Sequence, residues 1–163
     1  MAIPELVKSL VDPWSSFYEG SKALISLARF MHLGGLLLGG GAAVTFDRAS
    51  IQAAREGPAF RSHHLAMLRR VHRFVIAGLV FIVLSGLMML AADLETFAAS
   101  RLFKVKMLLV VLLVANGFAI TRIERTLRPE APSGWTSLAV TSRISAVLWF
   151  AIVLAGAVLV LVA

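Results

Sequence analysis

Four long apolar stretches, separated by polar clusters, dominate the chain. They predict helices from Lys22 to Phe46, Val71 to Ala92, Leu102 to Thr121 and Leu138 to Ala163. Crossing the hydrocarbon core takes about 20 apolar residues, and each stretch is of that order. The runs are continuous rather than alternating, which points to helices and away from barrel strands. Residues 4–19 carry a different pattern. Leu6, Val7, Leu10, Val11, Trp14, Phe17 and Tyr18 recur at helical spacing and give one apolar face. With Trp14 and Tyr18 suited to the membrane interface, this segment is expected to lie on the surface. Asp12-Pro13 predicts a helix restart, with Asp12 as N-cap and Pro13 at the first position. Glu5, Asp12 and Glu19 against Lys8, with no apolar core, argue against a signal peptide.

The expected fold class is therefore all-α: an integral membrane four-helix up-down bundle with an N-terminal amphipathic interfacial helix. Residues 1–21 form the amphipathic segment and 22–163 the four-transmembrane-helix domain. Composition agrees, because 59% of the 163 residues are apolar, above the roughly 45–50% of soluble domains. No internal repeat stands out, and Glu130-Ala-Pro-Ser-Gly134 is the clearest loop signal.

Charge then orients the bundle. The net +7 is held in loops between apolar runs, so it carries no nucleic-acid signal. Loop 47–73 holds Arg48, Arg55, Arg61, Arg69, Arg70 and Arg73, and loop 122–143 holds Arg122, Arg125, Arg128 and Arg143. Only Asp47, Glu56, Glu124 and Glu130 oppose them. The positive-inside rule puts these loops in the cytoplasm and both termini outside, periplasmic in a bacterial cytoplasmic (inner) membrane. The lipid bilayer is the first partner implied. With no cysteine, disulfides, thiolate metal sites and covalent haem attachment are excluded.

Ionisable groups in lipid are costly and therefore informative. Arg29 and His32 fall on the first helix and Lys106 on the third. His32 lies ten residues into its helix, about 15 Å down at 1.5 Å per residue. Gly35 and Gly39 share its face. That stripe could receive a flat ligand such as a haem, or pack a neighbouring helix as a GxxxG contact. Arg29 is positioned to neutralise a propionate or to snorkel. Lys106 can approach the same depth or reach for headgroups. His72 lies too far from His32 in depth to share an iron with it, and His63 and His64 are expected to be solvated loop residues. Met31, Met88, Met89 and Met107 fall in outer halves of helices and, with His32, would suit Cu(I); core filling is the alternative. Asn116 is expected to bond between helices. Ser145, Trp149 and Gly156 share an inward face. No nucleophile triad, P-loop or paired intramembrane carboxylates can be read from the pattern.

Several of these residues carry a resemblance. Met31-His-Leu-Gly-Gly-Leu-Leu-Leu-Gly-Gly-Gly41, ending in Phe46-Asp-Arg48, resembles the first helix of small bacterial membrane proteins related to HemJ-type protoporphyrinogen oxidases and CopD-type copper proteins. The likeness continues through Leu68-Arg-Arg-Val-His-Arg73, Phe103-Lys-Val-Lys-Met-Leu-Leu-Val110 with Asn116, and Ser145-Ala-Val-Leu-Trp149. HemJ-type enzymes depend on a histidine in the first helix and a lysine opening the third. The resemblance implies catalytic roles for His32 and Lys106 and a haem b, or another tetrapyrrole undergoing oxidation, with His32 as metal ligand. Arg29, Gly35, Gly39, Lys106 and Asn116 would line the cofactor. The fourth helix departs from the family's Asn-Glu-Val-Pro-like opening and reads Ser142-Arg-Ile-Ser-Ala146; this bears on catalysis more than on haem binding. Three expectations stand: a tetrapyrrole-binding, redox-active bundle; a copper-handling protein; and a non-catalytic bundle that packs against a membrane subunit or a second copy.

Overall fold

A computed structural model of the chain describes residues 5–162. Pro4 and Ala163, at the ends of two expected helices, and Met1–Ile3 of the expected amphipathic segment lie outside them. Every regular element among the described residues is helical. Four helices are long and apolar enough to cross a membrane: Lys22–Ala53, Arg70–Ala92, Arg101–Glu124 and Pro132–Leu161. Large apolar side chains such as Phe30, Leu37, Phe118, Phe150 and Leu161 are exposed, the distribution expected when lipid rather than water surrounds the helices.

Helix α1 covers Glu5–Glu19 and runs unbroken through Pro13. The expected restart at Asp12-Pro13 is thus absent. Tertiary anchoring overrides the local signal. Trp14 Nε1 donates to Met88 O at 3.0 Å and Ser15 Oγ to Ala92 O at 2.6 Å. Tyr18 is buried with Ala28 and Ala92, and Lys8 pairs with Glu95. The helix is docked on the bundle as well as amphipathic.

The first long helix consists of α2 (Lys22–Gly35), a π turn (Leu36–Gly40) and α3 (Gly41–Ala53). Ser21 caps its start by accepting from Leu24 N at 3.3 Å. Helix α4 follows at Pro58–Ala92, with Pro58 at its opening position. The expected loop 47–73 is therefore mostly helix, and only residues 54–57 connect α3 to α4. Hydropathy ends the helices early because their last turns are polar, while backbone pairing continues. Short α5 (Leu94–Ala99) is capped by Asp93, and α6 (Arg101–Glu124) by Ser100. Helix α7 spans Pro132–Val162.

Glycines set the closest helix approach. A Cβ on Gly35 would lie 2.8 Å from Gly78 O, and one on Gly39 3.1 Å from Gly78 Cα. A Cβ on Gly78 would collide with the Gly39 backbone. This three-glycine contact coincides with the π turn, whose widened ring turns the chain locally. On the other side, Gly40 lets the Trp149 ring of α7 lie against the backbone, 3.1 Å from where a Cβ would be. Helix α6 packs along α7 and meets α4 only sparsely.

The arginine-rich end is closed by a polar and aromatic latch. Arg61 is buried. Its guanidinium donates to Ala53 O at 3.0 Å, Ala54 O at 3.2 Å and Pro129 O at 3.2 Å, and lies 5.4 Å from the Trp135 ring centre. It satisfies the last carbonyls of α3, which have no intrahelical donor. His64 is buried rather than solvated. It stacks on Phe46 and bonds Ser50 Oγ through Nε2 at 3.0 Å. Burial, aided by nearby His63, holds its imidazole below its ordinary pKa. His63 is exposed, as expected.

Candidate functional site

Two groups of polar residues lie inside the bundle. The first is built around His32. Its Nδ1 lies 3.0 Å from Ser85 Oγ on α4. Ser85 is fully buried, and its hydroxyl lies within hydrogen-bond distance of the Phe81 and Ile82 carbonyls. A hydroxyl has one proton, so when it donates to a carbonyl its oxygen accepts from His32 Nδ1–H. In that tautomer the neutral ring carries its free lone pair on Nε2, which makes no side-chain hydrogen bond among the described residues; the Ile82 carbonyl also lies against the ring. That is the tautomer a metal-ligating histidine adopts when its other nitrogen is held by a second residue.

Small residues make room around this pair. A Cβ on Gly86 would lie 3.7 Å from His32 Cε1, and one on Gly156 3.3 Å from Lys106 Nζ. Lys106 is half-buried and within electrostatic reach of His32. The structure thus brings His32 and Lys106 together.

Other expected residues are placed elsewhere. Gly35 and Gly39 face Gly78, and protein backbone fills the space a flat ligand would need there. Asn116 Nδ2 donates to Thr141 O at 3.0 Å, the interhelical bond expected. That position is ten residues, about 15 Å of rise, along α6 from Lys106, so it ties α6 to α7 away from the pair. Arg29 is exposed and has no ion pair or hydrogen bond among the described residues. Met88 and Met89 pack against the Tyr18–Ala28–Ala92 cluster as core fillers, and Met107 is exposed. No group of three or more His, Asp or Glu side chains able to hold a metal ion occurs among the described residues.

The second group does not stand out as a site in the sequence. A cavity of about 290 Å³ lies between α3, α4, α6 and α7 toward the arginine-rich end. Apolar residues including Leu113, Phe118 and Trp149 make most of its wall. Asp47, Glu124, His72, Thr121, Ser142 and Ser145 supply its polar part. Asp47 and Ser142 are 6% and 1% exposed; among the described residues Asp47 Oδ2 and Ser142 Oγ complete no hydrogen bond of good geometry, although the Asp47 carboxyl lies within reach of the Ser142 and Ser145 hydroxyls. His72 Nε2 lies 3.2 Å from Thr121 Oγ1, and its Nδ1 3.8 Å from Glu124 Oε2. Asp47 and Glu124 are close enough to interact electrostatically. Charge counting assigns both acids to the arginine loops; both face the cavity instead, which gives the bundle the paired interior carboxylates that the pattern does not show. The one available signal is spacing: Asp47 with Ser50, Thr121 with Glu124, and Ser142 with Ser145 each recur at i, i+3.

Ser145 and Trp149 are buried on the inward face of α7, as expected. Compared with protein families, curated proteins and solved structures, the chain matches none.

Proposed function

We propose that the chain is a multi-pass inner-membrane protein whose four long helices form an up-down bundle, with both termini periplasmic and the arginine-rich end cytoplasmic. In the outer half, the bundle binds a tetrapyrrole, haem b being the candidate, with His32 Nε2 as axial ligand. The observation that carries this reading is the His32–Ser85 bond. It fixes the ring and leaves Nε2 uncommitted, beside Lys106 as a cation for an anionic substituent. Arg29, one turn away and exposed, is a second candidate for that role. Bound haem would supply one-electron chemistry. His32 and Lys106 form the site; Gly35, Gly39 and Asn116 hold the helices together.

This reading is favoured over its alternatives by two packing facts. Met88 and Met89 pack against the Tyr18–Ala28–Ala92 cluster and Met107 is exposed, which favours core filling over a copper site. The glycine stripe is covered by Gly78 within the chain, so it is not a free face for another subunit.

The test is the visible spectrum of the protein purified in mild detergent from haem-replete cells. The reading expects a Soret band at near-stoichiometric intensity that His32→Ala abolishes. A colourless protein, or an equal band in His32→Ala, overturns it.

A further inference from the structure

The cavity at the arginine-rich end has a chemistry that the His32 site does not explain. Asp47 lies fifteen residues from His32 along the first long helix, about 22 Å at 1.5 Å per residue. The cavity is a separate compartment. Two acids line it, and no lysine or arginine does among the described residues, although the chain has 16 of them. The one imidazole on the wall among the described residues, His72, lies 3.8 Å from Glu124 Oε2 and can balance that acid alone. Asp47 is left without a cation on the wall, and a buried carboxylate in that state is costly, more so at membrane depth.

The form of the cavity narrows what supplies that cation. Two buried oxygens on its wall, Asp47 Oδ2 and Ser142 Oγ, complete no hydrogen bond of good geometry among the described residues, though the Ser142 and Ser145 hydroxyls lie within reach of the Asp47 carboxyl. A donor with several hydrogens can serve both oxygens while the serine keeps its own proton for the carboxylate. The remaining wall is mainly apolar, with Leu113, Phe118 and Trp149 offering aliphatic and aromatic surface. The wall sets acids against apolar surface, so an anion is disfavoured, and no three acid or histidine side chains among the described residues converge to hold a bare metal ion. An organic molecule with one cationic, donor-rich end and an apolar body matches both parts. The sparse contact between α4 and α6 leaves a lateral route from the bilayer, where such molecules concentrate.

We propose that this cavity is a binding site for a small lipophilic primary amine. Its ammonium group is held by Asp47 and Ser142, and its apolar body lies against Leu113, Phe118 and Trp149. A primary ammonium has three N–H donors, enough for both oxygens. Glu124, within electrostatic reach of Asp47, adds negative potential. An aralkylamine of one ring fits within about 290 Å³.

The experiment uses the full chain in lipid nanodiscs, with benzylamine as probe and benzyl alcohol as its neutral isostere. Binding is followed by calorimetry and by tryptophan fluorescence, since Trp149 lines the cavity. Benzylamine is expected to bind at least tenfold more tightly than benzyl alcohol. Asp47→Asn should weaken benzylamine at least tenfold, Ser142→Ala several-fold, and His32→Ala not at all. Equal affinity for amine and alcohol overturns the proposal, as does unchanged benzylamine binding in Asp47→Asn, where Asp47 would be carrying only a proton. If Asp47→Asn fails to fold, the amine–alcohol comparison on the wild-type chain decides alone.

Discussion

His32 and Ser85 meet across α2 and α4 at 3.0 Å, where the Ser85 hydroxyl also reaches the Phe81 and Ile82 carbonyls. With the serine proton on a carbonyl, the bond runs from imidazole to hydroxyl and Nε2 is the free ring nitrogen. Ser85→Ala removes the acceptor while leaving His32 in place. Residues that orient a ligating histidine typically contribute about 10–100-fold in affinity. Haem titration of Ser85→Ala should show a loss in that range, with retained stoichiometry. Affinity equal to wild type would mean that Ser85 does not orient the ring.

The Gly35–Gly39–Gly78 contact makes Gly78 the least replaceable glycine of α4. Gly78→Ala forces the backbones of α2 and α4 apart, an overpacking that costs about 1–3 kcal/mol. On α6, a Cβ at Gly117 would meet nothing within 4 Å, so Gly117→Ala should gain about 0.5–1 kcal/mol through helix propensity. Thermal unfolding in mild detergent is expected to move in opposite directions for the two variants.

Arg61 is a structural cation as well as one of the charges of the arginine-rich end. Three carbonyls from α3, the 54–57 connection and the segment before α7 converge on its fork. Arg61→Ala should destabilise the chain by about 3 kcal/mol, since hydrogen bonds to charged groups contribute about 1.5–3 kcal/mol each and do not add fully. Arg61→Lys should recover only part of this, because an ammonium lacks the planar fork. Denaturant unfolding followed by fluorescence of Trp135, which Arg61 covers, reads the change.

His64 predicts how stability depends on pH. Its folded-state pKa is lowered from 6.5, first by burial and then by His63. The unfolded chain thus binds the proton more readily than the folded one, and stability rises with pH across the interval between the two values. The contribution is complete above about 6.5 and is lost as pH falls from there toward the folded value. His64→Gln should flatten this acid limb in a melting-temperature series from about pH 7.5 to 5. Exposed His63 substituted by Gln should change it little. An unaltered acid limb in His64→Gln would contradict the assignment.

Much of this architecture is visible in the apolar runs, because membrane-length helices need little beyond continuous hydropathy. The shared depth of His32 and Lys106 also follows from counting residues along helices. The direction of polar side chains near helix ends does not. Asp47 and Glu124 belong to charged segments, and their inward turn depends on helices continuing past Phe46 and Thr121. Arg61 and His64 are hidden for the same reason: a short connection at 54–57 folds them back onto Ala53, Ser50 and Trp135. The Gly35–Gly39 stripe is legible as a contact surface, but its occupant, Gly78, lies on another helix and has no local signature.

Axial ligation of a tetrapyrrole by His32 Nε2 is the central claim, and chemical rescue addresses that nitrogen directly. His32→Gly leaves a space the size of the lost ring between Ser85 and Gly86. The visible spectrum of this variant, loaded with haem b in nanodiscs, should lack the wild-type Soret maximum and recover it on addition of millimolar imidazole. A His32→Gly spectrum identical to wild type without imidazole would contradict axial ligation by His32.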